Sequence, residues 1–228
     1  MKRIASTAAT VLMLCACAWA EEAKQAEEAP KAEETAPLEK ADVVDFSKWA
    51  ETDFYGRGKV RVEEGVAYLE RGNDMTGITW KGPLDRMNYE ISVEAMRVEG
   101  EDFFCGLTFP VGEDPCSFIV GGWGGTVCGL SSLDYNDAYN NETARFRKFE
   151  KNRWYKIRVR VTENHIQAWI DDEPLVDVDT TDRKVGIRWE VERSVPLGIA
   201  TWQTSGAIRN FTMNPVPPEE RKEERPEI

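Results

Sequence analysis

Residues Trp154 to Thr180 read "WYKIRVRVTENHIQAWIDDEPLVDVDT". The opening residues of this stretch alternate: Tyr155, Ile157, Val159 and Val161 fall on one side, Lys156, Arg158 and Arg160 on the other. Successive side chains of an extended strand point to opposite faces, so the pattern describes a strand with one face in a core and one in water. His165 to Thr180 then reads as strand, turn, strand. The cluster Asp171-Asp172-Glu173-Pro174 interrupts the apolar run with residues suited to a turn.

The same period recurs outward from this stretch. "NYEISVEAMRV" puts Tyr89, Ile91, Val93 and Ala95 on one face and Glu90, Ser92, Glu94 and Met96 on the other. "AYLER", "GITW", "FFCGLTFPV", "CSFIVGGW", "TVCGLSSL", "KVGIRWEV", "PLGIATWQT" and "AIRNFTM" read as further strands, and no segment carries a helical stripe of useful length. So many short strands without helices between them imply an all-β antiparallel architecture. A single open sheet that wide would curl or split, so the expected fold is a two-sheet antiparallel β-sandwich of jelly-roll type. The absence of an internal repeat argues against a propeller or β-helix.

The ends of the chain differ in character. Residues 1–20, "MKRIASTAATVLMLCACAWA", have Lys2 and Arg3, an apolar run and Ala18-Trp19-Ala20, the layout of a secretory signal peptide. The expected location is therefore extracytoplasmic, periplasmic or secreted, with a lipid anchor at Cys17 as the lesser alternative. Residues 21–41 are almost entirely Glu, Ala, Lys and Pro and read as a disordered acidic linker, one that allows tethering to an envelope assembly. The domain is expected over residues 42–213, and residues 214–228 as a second disordered tail. No later segment is long and apolar enough for a transmembrane span. A net charge of −12 without a basic stripe argues against nucleic acid and anionic membranes as partners.

Beyond the leader remain Cys105, Cys116 and Cys128. If successive hairpins set them abreast on three neighbouring strands, one cross-strand disulfide is open to them. The alternative is three small buried apolar side chains.

Candidate site residues gather first around "CSFIVGGWGGTVCG". Glycines 121, 122, 124 and 125 allow a sharp turn or the close approach of a ligand. Trp123 at the tip of Gly122 and Gly124 is harder to explain as filler, whereas sugars present flat C–H faces that stack on such rings. A carbohydrate or glycoside is therefore the expected partner. Trp169 and Trp202 lie on the parity opposite their strands' isoleucines and are candidates for a groove. Arg97 is a candidate substrate contact. Glu94 and Asp102 are candidate acid or base groups. Asp134, Asn136 and Asp137, followed by Asn140, Asn141 and Glu142, form an oxygen-rich run that either holds calcium or is a plain turn. No other cofactor is expected, and no nucleophile elbow, phosphate loop or zinc spacing occurs.

"RWYKIRVRVTENHIQAWIDDEPLVDVDT" followed by "PLGIATWQTSGAIRNFTM" resembles the C-terminal half of the 3-keto-disaccharide hydrolase domain family, with Trp154, Trp169, Asp171, Asp172, Val176, Gly198, Ile199, Arg209 and Asn210 in corresponding places. "FSKWAETDFYGRGKVRVEEGVAYLE" resembles its opening at Trp49, Val62, Gly65 and Leu69. The resemblance implies a concanavalin-like or laminin-G-like jelly roll in an exported bacterial protein. It also implies cleavage of glycosides whose sugar carries a 3-keto group, since that ketone acidifies the C2–H and lets a base eliminate the C1 substituent. The family's "NSGIFFR" stretch is "FFCGLTFPVG" here, keeping Gly106 and Phe109 but not the Asn, Ser or Arg, and the next strand, "SFIVGGWGG", holds no acid. Three readings follow: a glycoside-cleaving enzyme, a carbohydrate-binding module without catalysis, and a laminin-G-like protein-interaction domain.

Overall fold

The structure is a computed structural model that describes residues 46–217; the expected leader and linker, and the tail from residue 218, lie outside the described residues. It contains two seven-stranded antiparallel sheets. The first runs, in spatial order, β1 (Trp49–Glu51), β4 (Met75–Trp80), β13 (Gly198–Trp202), β6 (Cys105–Val111), β7 (Asp114–Gly122), β8 (Val127–Ser131) and β9 (Arg145–Phe146). The second runs β12 (Glu173–Asp179), β11 (His165–Ile170), β10 (Trp154–Val161), β5 (Tyr89–Glu99), β14 (Ser205–Pro215), β3 (Val66–Leu69) and β2 (Val60–Glu63).

The core lies between the sheets, and the alternation of each strand supplies it. From the second sheet come Tyr89, Ile91, Val93 and Ala95 of β5 and Tyr155, Ile157, Val159 and Val161 of β10, all buried. Facing them are Cys105, Leu107 and Phe109 of β6, Cys116, Phe118 and Val120 of β7, and Cys128 and Leu130 of β8. Burying each large apolar side chain contributes about 1.5–3 kcal/mol, which makes this layer the main source of stability. The turn between β11 and β12 is equally legible. Ile170 pairs with Glu173, and Asp171 and Asp172 both take left-handed backbone angles, φ 52° and 61°, as a two-residue type I′ turn requires. The Asp171 carboxylate then accepts from Lys156 N–H at 3.0 Å, Arg147 Nη2 at 3.0 Å and Arg153 Nη2 at 3.1 Å, which ties the turn to β10.

Three expectations are corrected. "KVGIRWEV" is not a strand: Gly186 exchanges backbone bonds with Ser132, Val185 makes an isolated bridge with Leu133, and Trp189–Ser194 forms a 3-10 helix. The reason is that the outer face of the first sheet is itself apolar, and Val191 is drawn onto Phe54, Met75 and Ala200 there. The C-terminal boundary lies beyond residue 213, because β14 continues to Pro215 and Val216 N–H bonds Asn88 O.

The three cysteines do not stand abreast. Cys105 and Cys128 both oppose Val120, so β7 separates them, while Cys116 opposes Phe109 farther along β7. All three are free and buried, as the small-apolar alternative had it. Burial pushes the Cys105 and Cys116 thiols up to about 12 and Cys128 to about 11. Thiolate is the reactive form, so an alkylating reagent at mildly alkaline pH should leave these residues unlabelled in the native protein and label all three in denaturant. Mass spectrometry of the digested peptides reads the result.

Candidate functional site

The loops that cover the outer face of the first sheet leave a cleft of about 200 Å³. Its floor comes from Met75, Ser117, Ile119, Ser131 and Trp202, and its walls from Asp102, Phe103, Trp123, Arg188, Glu190 and Val191. Strand parity explains the floor: Ser117 and Ile119 alternate with the inward Cys116, Phe118 and Val120. Phe103 and Trp202 face one another with ring centroids 6.4 Å apart. Ser117 Oγ shares a 2.8 Å hydrogen bond with Thr108 Oγ1. Ser131 is 1% exposed and its Oγ has no hydrogen-bond partner within the protein, a state that costs about 1–3 kcal/mol.

The glycine tip is held from two sides. Gly125 and Thr126 N–H both bond Gly122 O at 3.1 Å, closing the turn. From above, Asp102 Oδ2 accepts from Gly124 N–H at 3.1 Å while its Oδ1 accepts from Phe103 N–H at 2.8 Å. From below, Arg97 Nη2 donates to Gly121 O at 3.2 Å and Gly125 O at 3.0 Å, and its guanidinium lies 5.0 Å from the centre of the Phe104 ring. Burial lowers the Arg97 pKa from its usual value, with the Asp102 charge opposing that shift. Gly121, at φ 76°, has no room for a side chain, because a Cβ would collide with the Arg97 guanidinium. The turn and its arginine therefore account for the glycines, but not for Trp123. Trp123 sits at φ 48°, stacks on Tyr139 at 6.3 Å and remains 39% exposed beside the cleft.

Of the residues singled out in the sequence, the cleft and its rim bring together Asp102, Gly122, Trp123, Gly124 and Trp202. Arg97 is not among them as a ligand contact: it is 5% exposed and faces into the sandwich, supporting the tip. Glu94 and Trp169 lie on the outer face of the second sheet, across the core from the cleft. There Glu94 accepts from Arg209 Nε at 2.7 Å and Asn210 Nδ2 at 3.0 Å, and Trp169 packs against the Arg158 guanidinium at 4.6 Å. His165 opens β11 opposite Asp179, also in the second sheet.

In the oxygen-rich run, Asp134 accepts from Arg183 Nε at 2.6 Å and Lys184 N–H at 2.8 Å. Asp137 Oδ1 accepts from the N–H groups of Tyr139 and Asn140, and its Oδ2 pairs with Arg188 Nη1 at 3.0 Å. Asn136 donates through Nδ2 to Asp134 O. A calcium ion would have to compete with two arginines for these oxygens. No group of three or more His, Cys, Asp or Glu side chains is arranged to hold a metal among the described residues. The run instead orients the cleft wall, because Arg188 spans Asp137 and Glu190, reaching Glu190 Oε1 through Nη2 at 2.5 Å. Sequence reading missed Phe103, Ser117, Ile119 and Ser131 as site residues and set the Arg188–Glu190 pair on a strand. Only the parity of Ser117 and Ile119 hinted at the floor.

Two outcomes follow. Arg97→Met should lower stability by about 2–4 kcal/mol in chemical denaturation, because it strips the donor from two buried carbonyls. The second concerns pH. The Lys184 N–H and then Arg183 hold the Asp134 carboxyl below the usual carboxylate range, and Arg183 does the same for Glu142. Depressed carboxyls stabilise above their unfolded value of roughly 4 and lose that contribution as pH falls through the folded values. The melting temperature should drop below about pH 4, and Arg183→Ala should make that drop smaller.

A family profile described as the 3-keto-alpha-glucoside-1,2-lyase-like domain matches residues 41–214. No curated protein matches the chain in sequence. Among solved structures it is similar to the carbohydrate binding module CBM66 from Bacillus subtilis, at 11% identity over 73% of this chain and 95% of that one, with a TM-score of 0.52. It is also similar to the apo Crh5 transglycosylase, at 12% identity over 77% of this chain and 81% of that one, again with a TM-score of 0.52. At such identities the likeness speaks for the jelly-roll fold alone. The profile, by contrast, covers nearly the whole sandwich from β1 to the end of β14, and the chain belongs to the family of 3-keto-alpha-glucoside-1,2-lyase-like domains.

Proposed function

We propose that the cleft binds one ring of a glycoside and that the domain acts on 3-keto-glycosides by eliminating the substituent at C1. The observation that carries this reading is the unpartnered, buried Ser131 hydroxyl in the floor of a cleft whose aromatic lining is Trp123, Trp202 and Phe103. A sugar ring offers both things such a site asks for, a flat C–H face for the aromatic rings and hydroxyls for the buried polar group.

The chemistry needs a base, a positive charge and little else. Asp102 takes the acidified C2 proton, and the C–H electron pair passes into an enolate at the C3 oxygen. Collapse of the enolate restores the ketone, forms the C1–C2 double bond and breaks the C1–O bond. The proton then passes from Asp102 to the departing oxygen. Asp102 suits the part of base better than Glu190, because its two hydrogen bonds come from neutral N–H groups whereas Glu190 is forked by Arg188. Arg188 supplies the positive charge that an enolate calls for.

A second reading, a binding module without turnover, is favoured by the same engagement of both carboxylates. Export through residues 1–20 and attachment to an envelope through the acidic linker belong to the proposal as well.

Release of aglycone from 3-keto-glycosides and from their unoxidised parents tests it. Turnover should be confined to the keto forms. Asp102→Asn should lower the rate by about 10²–10⁴-fold with the melting temperature near that of the parent chain. Trp123→Ala should weaken binding by roughly tenfold. Absence of release together with a ligand-induced shift of Trp fluorescence would leave the binding module, and silence in both signals would point to a protein partner.

A further inference from the structure

We infer that the binding surface continues past Arg188 onto an open aromatic platform, Tyr135 with Trp189, that receives the second ring of a glycoside. The inference rests on the reading of the cleft as a glycoside site. A cleft of about 200 Å³ lies below the roughly 300–1,000 Å³ of typical ligand pockets and has room for about one sugar ring. Anything attached to that ring must leave it. Arg188 lines both the cleft and a neighbouring depression whose other residues include Tyr135, Lys184, Gly186 and Trp189.

Neither aromatic ring is explained by packing. Trp189 is 80% exposed and Tyr135 is 86% exposed. Trp189 opens the 3-10 helix, but it is Val191 of that helix that packs on the sheet. Tyr135 occupies a costly backbone position. Leu133 and Asn136 exchange both backbone bonds at 2.9 Å around a two-residue turn, and Asp134 and Tyr135 between them take φ 48° and 68°. Such turns favour Asn, Asp and Gly, and a bulky residue there is strained. A tyrosine that buries little and suits its turn poorly points to a ligand as the reason for the ring. The platform is also held still. Asp134 is tied to Arg183 and Lys184, and Arg188 to Asp137 and Glu190, so the chain on either side of both rings is fixed before a ligand arrives. Aromatic faces for the C–H side of a ring, with Arg188 at the junction for its hydroxyls, suit a sugar that follows the first.

Calorimetric titration of the full chain, with Asp102→Asn as the parent so that ligand is bound and not turned over, tests the inference with methyl 3-keto-α-glucoside and with the 3-keto form of an α-linked glucose disaccharide. The parent chain should bind the disaccharide at least tenfold more tightly. Trp189→Ala and Tyr135→Gly should each cut that preference severalfold and leave the Kd for the one-ring ligand within twofold. Tyr135→Gly should in addition raise the melting temperature, an outcome opposite to that of a residue kept for stability. Equal weakening of both ligands, or an unchanged preference in both variants, would overturn the platform and, in the second case, give the two rings to a protein surface. If neither ligand binds the parent chain, the reading of the cleft itself fails. Tight one-ring binding without a disaccharide preference overturns only the platform.

Discussion

Both faces of the first sheet are apolar. Its inner face closes the sandwich core, as any jelly roll requires, but its outer face also carries Met75, Ile119, Val127 and Ala200, all buried. Leaving that surface in water would forfeit about 25 cal/mol for each square ångström, so the chain between the strands has to cover it. Phe54, Ala138 and Val191 do so from three separate segments. The cleft is the part that they leave open. Its position follows from this incomplete cover, and its lining of strand side chains below and loop side chains at the rim follows with it. A rigid floor beneath variable walls is the arrangement on which binding sites of sheet proteins are commonly built.

The rim then has to be held in place. A glycine-rich tip would move freely if only its own turn bonds restrained it. Arg97 from inside the sandwich and Asp102 from the preceding loop fix it to both neighbours, and Tyr139 braces the Trp123 ring. Burying a guanidinium costs several kcal/mol unless its donors and its charge are answered. Two carbonyls and the Phe104 face answer most of it, although Nε remains without a partner. The unpartnered Nε is the share of that cost left standing, and the tip is anchored from both sides. That is what a stacking site needs, since ordering a mobile side chain on binding subtracts from affinity.

The acidic loop shows how the same residue types can serve another end. Asp134, Asp137 and Glu142 resemble a cation site in sequence because carboxylates alternate with amides. In space each is answered by Arg183 or Arg188. The charge balance is made within the protein, and the product is a positioned arginine at the edge of the cleft. Nothing local in "LDYNDAYNNE" announces that its partners lie some fifty residues downstream.

Much of the fold was legible for one reason: alternation is local. The period-2 pattern of Tyr89 to Ala95 and of Tyr155 to Val161 is a property of a single extended chain, so it marks strand and inward face without knowledge of the neighbours. Asp171-Asp172 marks a hairpin on the same terms. The candidate site was legible only where a residue lay in an evident turn, as Trp123 does, or just beside one, as Asp102 does. Parity placed Trp202, Trp169 and Glu94 on outer faces correctly. It could not say that Trp202 belongs to the sheet with the cleft and the other two to the sheet behind it. Membership of a sheet depends on crossovers between strands distant in the chain, such as β13 beside β6 and β14 beside β5. Residue order along each strand was enough for the all-β class, the inward faces and the turn chemistry. The tertiary structure alone decided which outer face gained a cover, which arginine answers which carboxylate, and hence where the cleft lies, because those choices are settled by long-range burial and charge pairing.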